Sequence, residues 1–162
     1  IRSRNETPKF AAEPTRAMRA VMAAMDEVLA TRPIDRARIY LTGLSMGGFG
    51  SFDLAVRRPE LFAAVVPICG GGDPATAPKV ASIPFYIVHG DDDPVVPTRL
   101  SRTMRDAIAA AQPKGHDAAA ATPNNPSYRE YSKVGHDSWT SAYRFGPEGV
   151  LDWMFAQRRA VP

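Results

Sequence analysis

Two apolar runs limit what this chain can fold into more than any other feature of its sequence. Residues 62–68 (Phe-Ala-Ala-Val-Val-Pro-Ile) and residues 83–88 (Ile-Pro-Phe-Tyr-Ile-Val) are apolar at nearly every position instead of at every second one. Because successive side chains of a strand point to opposite faces, such runs predict strands that are buried on both faces. Strands of this kind are typical of parallel sheets with helices packed on both sides.

Shorter strand and helix patterns alternate with these two runs. Apolar residues between Pro14 and about Ala30 follow helical spacing, with Thr15 as the predicted N-terminal cap. Further helices are predicted at 47–57, from about 98 onward and at 149–159, and further strands at 38–42 and, as a more polar edge, at 128–133. Residues 114–126, rich in Ala, Asn and Pro, resemble a surface insertion. Four strands alternating with helices predict a parallel α/β sheet with right-handed crossovers.

Composition excludes several classes of function. The 162 residues suffice for one domain with a hydrophobic core. The formal net charge is +3, and the basic residues are scattered instead of forming a stripe, which disfavours nucleic-acid binding. The single cysteine, Cys69, excludes an internal disulfide, and no apolar run approaches the roughly 18–20 residues that cross a bilayer. The His and Asp positions lack metal-ligand spacing, no organic cofactor is implied, and the compartment stays open between cytoplasm and secretion.

The segment Gly43-Leu44-Ser45-Met46-Gly47 fits a G-x-S-x-G pattern between a predicted strand and a predicted helix. In that setting the serine lies on a tight, strained turn that lifts its hydroxyl out of the sheet. Both glycines are expected because a side chain at either position would collide with neighbouring elements. The turn also directs the N-terminus of the next helix, and the N–H of Met46, toward the position of an oxyanion.

A serine hydroxyl becomes a good nucleophile only beside a base, and three histidines are available. His136 follows the fourth predicted strand in a loop that starts with a glycine, and it is the favoured base. His89 ends the third predicted strand, where we expect a buried histidine bonded to the backbone. His116 lies in the predicted insertion, where we expect a solvated surface imidazole.

The histidine needs a carboxylate to hold it in the useful tautomer. Asp91, Asp92 and Asp93 all follow the third predicted strand. Asp93 is the best positioned because a proline fixes the chain behind it and two valines can anchor the loop by burial. Asp73, after the previous strand, stays a rival, whereas Asp137 is too close in sequence to the histidine. Every candidate should come just after a strand, because the chemistry of parallel sheets lies beyond their carboxyl ends.

The order Ser45, Asp93, His136 is the nucleophile, acid, histidine order of α/β-hydrolases. With residues 38–48, 67–72, 89–97 and 135–139, the sequence resembles the serine esterase branch of that superfamily. It is most similar to phospholipase/carboxylesterase-type enzymes and to polyhydroxybutyrate-depolymerase-like and feruloyl esterases. The resemblance implies a three-layer α/β sandwich with these three residues as the triad. It also implies the Met46 N–H as an oxyanion donor and Trp139 near the mouth of the site.

One feature of the resemblance is missing from the sequence. Such enzymes carry several strands before the nucleophile strand, and an early glycine-containing loop supplies a second oxyanion donor. Nothing before residue 38 has a strand pattern. We therefore expect residues 1–162 to be a single catalytic domain that is the C-terminal portion of the fold, with upstream strands missing or supplied by another chain. The outer edge of the nucleophile strand would then be open and hydrophobic.

The expected activity is hydrolysis of a small or polymeric carboxylic ester through an acyl-enzyme intermediate. A serine peptidase or a polyester depolymerase would use the same three residues. A non-catalytic binding module derived from a hydrolase is the alternative from a different class. Nucleotide binding is disfavoured because residues 48–53 carry Asp53 where a third glycine should stand, inside a predicted helix.

Overall fold

The computed structural model describes residues 6–112 and 127–160. These residues form four strands, five α-helices and a 3₁₀ helix at Pro74–Lys79. In chain order the elements are α1 (Arg16–Thr31), β1 (Tyr40–Leu44), α2 (Met46–Arg57), β2 (Ala64–Ile68), β3 (Tyr86–Gly90), α3 (Arg99–Ala111), β4 (Ser127–Tyr131), α4 (Trp139–Ala142) and α5 (Leu151–Ala156). The predicted insertion at 114–126, with His116, lies outside the described residues.

The four strands form one parallel sheet in the order β1-β2-β3-β4. Every residue of β2 is buried, and so are four of the five residues of β3. The prediction of two strands covered on both faces is therefore confirmed. β4 lies at one edge and its residues are only partly buried, as its more polar sequence predicts.

Two hydrophobic clusters, one on each face of the sheet, hold the layers together. Val65 and Ile87 point into the cluster formed with α1, α2 and α3, where the rings of Phe52 and Phe85 stack at 5.8 Å. Their sequence neighbours Val66 and Val88 point into the other cluster. Residues of α4 and α5 close that second face, namely Ala142, Leu151, Trp153 and Met154. The alternation of side chains along each strand thus supplies both cores from the same short apolar runs.

Several element boundaries differ from those predicted. Thr15 caps α1 as expected, its hydroxyl accepting the N–H of Met18. β1 begins at Tyr40 instead of residue 38, because the Arg38 N–H donates to the Asp35 carbonyl at 3.0 Å and closes a turn there, which an ion pair between the two side chains supports. The C-terminal helix is shorter than predicted: α5 ends at Ala156, and the Tyr40 hydroxyl lies 3.0 Å from the carbonyl oxygen of Gln157 just beyond it. The one-turn helix α4 was not predicted.

Among the described strands, β1 pairs with β2 alone and forms the edge opposite β4. Val21 and Val28 of α1, Ile34 and Leu44 are exposed apolar side chains. The first three line an open apolar groove beside β1. The expected open, hydrophobic edge is therefore present in the part of the chain that the structure describes. None of the helices within that part is both long and apolar enough to cross a membrane.

An ion pair joins β4, at the edge of the sheet, to α3. The Arg102 guanidinium donates to both carboxylate oxygens of Glu130, and the Tyr128 hydroxyl donates to one of them. The hydrogen bonds from Arg102 are the main reason that the pKa of Glu130 falls from 4.5 to about 2, against the opposing effect of burial. Since the folded-state pKa is the lower one, the stabilisation is present above about pH 4.5 and is lost as the pH falls toward 2.

We expect Glu130→Gln to lower the free energy of unfolding at pH 6 by about 1 kcal/mol. The deficit should shrink steadily as the pH is lowered, because the wild-type carboxylate becomes protonated as well. Urea unfolding at a series of pH values measures both quantities. Glu148→Gln is the matched control, since that carboxylate is mostly exposed and its ion pair with Arg129 is long, at 3.4 Å. A Glu130→Gln deficit that does not depend on pH would contradict the assignment.

Candidate active site

Ser45 lies at the turn between β1 and α2, with backbone angles φ 53° and ψ −118°. A positive φ is uncommon and strained for a residue with a side chain. The turn is held by the Ser45 N–H, which donates to the Ile68 carbonyl at 3.0 Å and lies 3.3 Å from the Cys69 sulfur. The predicted strained strand-to-helix turn is therefore present, and the end of β2 fixes it.

The glycines around the turn do not all have the predicted roles. A Cβ on Gly43 would collide with the backbone carbonyl of Gly47, as expected. A Cβ on Gly47 itself would meet nothing within 4 Å, so the predicted collision at that position is wrong. Gly48 is the second crowded position, because its Cβ would lie 2.5 Å from the Ile68 carbonyl oxygen and 3.1 Å from Gly70 Cα. The close approach of α2 to the end of β2 therefore depends on Gly48 and Gly70.

The structure brings the three predicted residues into one hydrogen-bonded row. His136 Nε2 lies 2.9 Å from the Ser45 hydroxyl, and His136 Nδ1 lies 2.8 Å from Asp93 Oδ2. Ser45 follows β1, Asp93 follows β3 and His136 follows β4, so each comes after a strand, as expected. The histidine side chain is 20% exposed, whereas that of Asp93 is fully buried.

The buried carboxylate of Asp93 is held by its own loop. Oδ1 accepts the N–H groups of Val95 and Val96 at 2.8 and 2.9 Å, and Oδ2 accepts from His136. Burial raises the pKa of Asp93, but the hydrogen bonds from His136 and from the two N–H groups outweigh it, and the net pKa is lowered. Asp93 is therefore ionised at neutral pH in spite of its burial.

The other predicted acids have different partners. Asp91 Oδ1 accepts the Lys133 N–H at 2.6 Å and so ties the loop after β3 to the loop after β4. The side chain of Asp73 accepts the Phe10 and Ala75 N–H groups and caps the 3₁₀ helix. Asp92 is exposed. Of these acids only Asp93 has a hydrogen bond to His136 among the contacts within the described residues.

Met46 follows Ser45 in the chain, and Trp139 contacts His136. Met46 is the first residue of α2, so its N–H has no acceptor four residues back within the helix. Its side chain is 84% exposed. The Trp139 ring meets the His136 ring edge to face at 5.3 Å. The Trp139 ring therefore lies beside the imidazole that contacts Ser45.

His89 is fully buried, and its Nε2 lies 3.0 Å from the Val96 carbonyl oxygen, as expected for a histidine bonded to the backbone. The sequence reasoning missed its second partner, since the same nitrogen lies 3.1 Å from Asp93 Oδ2. It also missed Cys69, which has a positive φ of 40° and sits beneath Ser45. No sequence signal distinguishes either contact, because both depend on how neighbouring strands end.

Cys69, Asp93 and His136 form the one group in the described residues whose ligand atoms, all within 4.8 Å of one another, could hold a metal ion. The chemistry of this set fits a cation poorly. Burial raises the pKa of the Cys69 thiol to about 11, so the sulfur stays protonated at neutral pH. The Asp93 carboxylate and the His136 ring are already bonded to each other. The protonated thiol and the hydrogen bond between Asp93 and His136 therefore disfavour a cation at this group.

The chain is similar to a family of hydrolases and to proteins that are named as an esterase and a depolymerase. The family model described as "Dienelactone hydrolase family" matches residues 4–125, which include Ser45 and Asp93 but end before His136. The chain is 28% identical to feruloyl esterase C of Emericella nidulans over 131 residues, covering 79% of the chain and 48% of the relative. It is 38% identical to poly(3-hydroxyalkanoate) depolymerase C of Paucimonas lemoignei over 52 residues, covering 32% of the chain and 13% of the relative.

The solved structure of a thermostable esterase superposes with a TM-score of 0.78 at 35% identity. The superposition covers 90% of this chain and 38% of that esterase. The α/β-hydrolase architecture expected from the sequence is thereby confirmed. The chain spans less than half the length of each of these three proteins.

The two glycines at the start of α2 offer a matched pair of variants. We expect Gly48→Ala to lower the free energy of unfolding by roughly 1–3 kcal/mol, because its methyl group must displace the end of β2. Gly47→Ala should be neutral or stabilising by up to roughly 1 kcal/mol, since the space is open and alanine favours a helix. Urea denaturation of both variants measures the difference. Equal destabilisation by both would contradict the packing described here.

Proposed function

The chain belongs to the dienelactone hydrolase family, and on that premise we propose that it is the catalytic part of a serine hydrolase that cleaves carboxylic esters. The single observation that carries this proposal is the row of hydrogen bonds from Ser45 through His136 to Asp93. A serine aligned with a histidine, which is itself aligned with a buried carboxylate, is the arrangement that activates a hydroxyl for acyl transfer.

In the first half of the proposed reaction, the Ser45 oxygen attacks the carbonyl carbon of the ester while His136 Nε2 accepts the hydroxyl proton. The ionised Asp93 stabilises the imidazolium that forms, because its Oδ2 accepts the proton on Nδ1. The tetrahedral intermediate then collapses, its C–O bond breaks, and the imidazolium returns the proton to the departing alcohol. The acyl group remains on Ser45 as an ester.

In the second half, water attacks the acyl-enzyme and gives its proton to His136. The second tetrahedral intermediate expels the serine oxygen, which regains a proton from the imidazolium, and the carboxylic acid leaves. The Met46 N–H at the N-terminus of α2 would stabilise the oxyanion in both steps, because α2 directs the positive end of its dipole toward that side.

We further propose that carboxylic esters are the substrate class. Two of the relatives are named as a feruloyl esterase and a poly(3-hydroxyalkanoate) depolymerase, which favours an ester with a small or a polymeric acid part. A serine peptidase could use the same three residues. The exposed Met46 and the partly buried Trp139 beside the site would contact an apolar acyl group.

The open edge of β1 supports a proposal about the rest of the domain. We propose that residues 1–162 form the C-terminal portion of one catalytic domain, and that strands of another segment, in the same polypeptide or a second chain, pair with β1. Such a segment would cover the exposed Val28 and Ile34 and would bring the second oxyanion donor. Loss of one donor typically lowers the rate on the order of 100- to 1000-fold, so the completed sheet should be much more active.

A fluorophosphonate probe tests the activated serine directly. We expect phosphonylation of Ser45, with loss of fluoride, on the wild-type chain, located by peptide mass spectrometry. Labelling should disappear in Ser45→Ala and fall at least 100-fold in His136→Ala, because the hydroxyl then has no base. Ser82→Ala, at an exposed surface position, should label normally. Undiminished labelling in His136→Ala, or an adduct at another serine, would contradict the proposal.

The choice among the three aspartates has its own test. We expect Asp93→Asn to lower kcat for an activated ester on the order of 1000- to 10,000-fold, because the amide no longer holds His136 in the useful tautomer. Asp92→Asn, at an exposed position in the same loop, should leave kcat within about twofold. Initial rates of both variants with a chromogenic acyl ester provide the measurement. Comparable losses in the two variants would overturn the assignment of Asp93.

The alternative from another class is a hydrolase-derived binding module that uses the open β1 edge. The observation in its favour is the apolar edge of β1, which pairs with no other strand than β2 among the residues that the structure describes. A folded chain that leaves Ser45 unlabelled, both alone and with its sheet completed, would favour that module over the enzyme.

A further inference from the structure

A second histidine touches the carboxylate of the proposed triad. His89 Nε2 lies 3.1 Å from Asp93 Oδ2, the same oxygen that accepts from His136 Nδ1 at 2.8 Å. Both His89 and the Asp93 side chain are fully buried. The row of hydrogen bonds from Ser45 therefore continues past Asp93 to a second imidazole, which the proposed ester hydrolysis does not use.

The two oxygens of Asp93 have separate partners. Among the described residues, Oδ1 accepts only backbone N–H groups, from Val95 and Val96, and these fix the carboxylate in its loop. Within the same residues, Oδ2 accepts only from the two histidines. Because the orientation of the carboxylate is already determined at Oδ1, the contact with His89 acts chiefly on the charge of the oxygen that faces His136.

The surroundings of His89 determine which of its nitrogens carries the proton. Nε2 faces two acceptors, the Val96 carbonyl oxygen and Asp93 Oδ2, so it carries a proton and donates. Burial is the main reason that the pKa of His89 is lowered, so the ring is neutral at pH 7 and Nδ1 is an acceptor. The Ser101 hydroxyl of α3 lies 2.7 Å from Nδ1 and 3.0 Å from the Gly70 carbonyl oxygen, and its one proton can serve only one of these two acceptors. Because the neutral ring carries its proton on Nε2, the hydroxyl donates to Nδ1 and so fixes the ring.

We propose that His89 is a positioning residue that limits the basicity of His136 by donating a hydrogen bond to their shared acceptor, Asp93 Oδ2. This inference rests on the proposed serine hydrolase function. A second donor on Oδ2 offsets part of its negative charge, so Asp93 stabilises the His136 imidazolium less than it would alone. His136 then remains neutral, and able to accept the serine proton, at lower pH.

The other groups around His136 do not supply this effect. The Ser45 hydroxyl and the Trp139 ring are neutral, and the Cys69 thiol is protonated because burial raises its pKa to about 11. Asp91 is turned to the Lys133 N–H. Asp93, with His89 behind it, is thus the charged group in hydrogen-bonding contact with the His136 ring among the described residues.

Two amide variants distinguish the roles of the two nitrogens of His89. The amide nitrogen of Gln reaches the position of Nε2, so His89→Gln keeps a donor for Asp93. The shorter Asn reaches only the position of Nδ1, so His89→Asn keeps a partner for Ser101 but withdraws the donor. Both variants replace the imidazole with a buried amide, which makes each the matched control of the other.

In a plot of kcat/KM against pH, we expect the acidic limb to move to higher pH by roughly 0.5–1 unit in His89→Asn and by less than roughly 0.2 unit in His89→Gln. The direction follows because loss of the donor on Oδ2 favours the His136 imidazolium. A merely structural role would lower kcat without moving the limb. Equal limbs in the wild type and His89→Asn, or equal shifts in both variants, would overturn the proposal.

An NMR titration of the imidazole nitrogens makes the same test without turnover. The titration midpoint of His136, assigned with His136→Gln, should rise in His89→Asn. In the wild type, the chemical shift of the His89 Nε2 proton should change at the titration midpoint of His136, because the two rings share one carboxylate oxygen. This measurement needs no variant, so it remains possible even if His89→Asn does not fold. Independent titration of the rings would refute the inference, whereas absence of ester hydrolysis and probe labelling would refute only the proposed function.

Discussion

Parallel alignment of the four strands is the constraint on which the rest of the structure depends. It brings the carboxyl ends of β1, β3 and β4 to one edge of the sheet, where Ser45, Asp93 and His136 meet although 91 residues separate the first from the last. The alignment requires very close packing at the ends of the strands. Gly48 against Gly70, and Gly90 against the loop after β4, provide it because a Cβ at either position would collide with backbone. The close packing of these glycines therefore both stabilises the fold and sets the positions of the three side chains.

The buried carboxylate of Asp93 shows how the site keeps a charge inside the protein. An isolated carboxylate in an apolar environment would be protonated, since burial raises its pKa. Here the N–H groups of Val95 and Val96 and the ring of His136 reverse that effect, and the pKa is lowered. These donors come from the acid's own loop and from the loop after β4, which Asp91 ties to it through the Lys133 N–H. The charge persists because two loops are held in one conformation.

Most of the fold and the members of the site could be predicted from the sequence because both follow from local patterns. Apolar runs specify buried strands, the small residues of the G-x-S-x-G turn specify the place of Ser45, and polar residues after β1, β3 and β4 lie at the functional edge. The errors have physical reasons. Gly47 points into open space, whereas Gly48, which the pattern does not include, is the crowded position. The contacts of His89 and Cys69 with the site depend on distances between neighbouring strand ends, which no spacing along the chain specifies.

The charged carboxylate of Asp93 is surrounded by neutral groups. Asp93 is stabilised by neutral donors: two backbone N–H groups and the neutral ring of His89 on one side, and His136 on the other. Beside Ser45, the thiol of Cys69 is protonated. A permanent cation at the place of His89 would keep Asp93 ionised but would offset its charge before the reaction begins. Neutral donors also favour the ionised carboxylate, and they leave more of its charge available for the imidazolium that forms on His136 during acyl transfer. Burial of His89 is thus what lets a second histidine touch the acid without cancelling its charge.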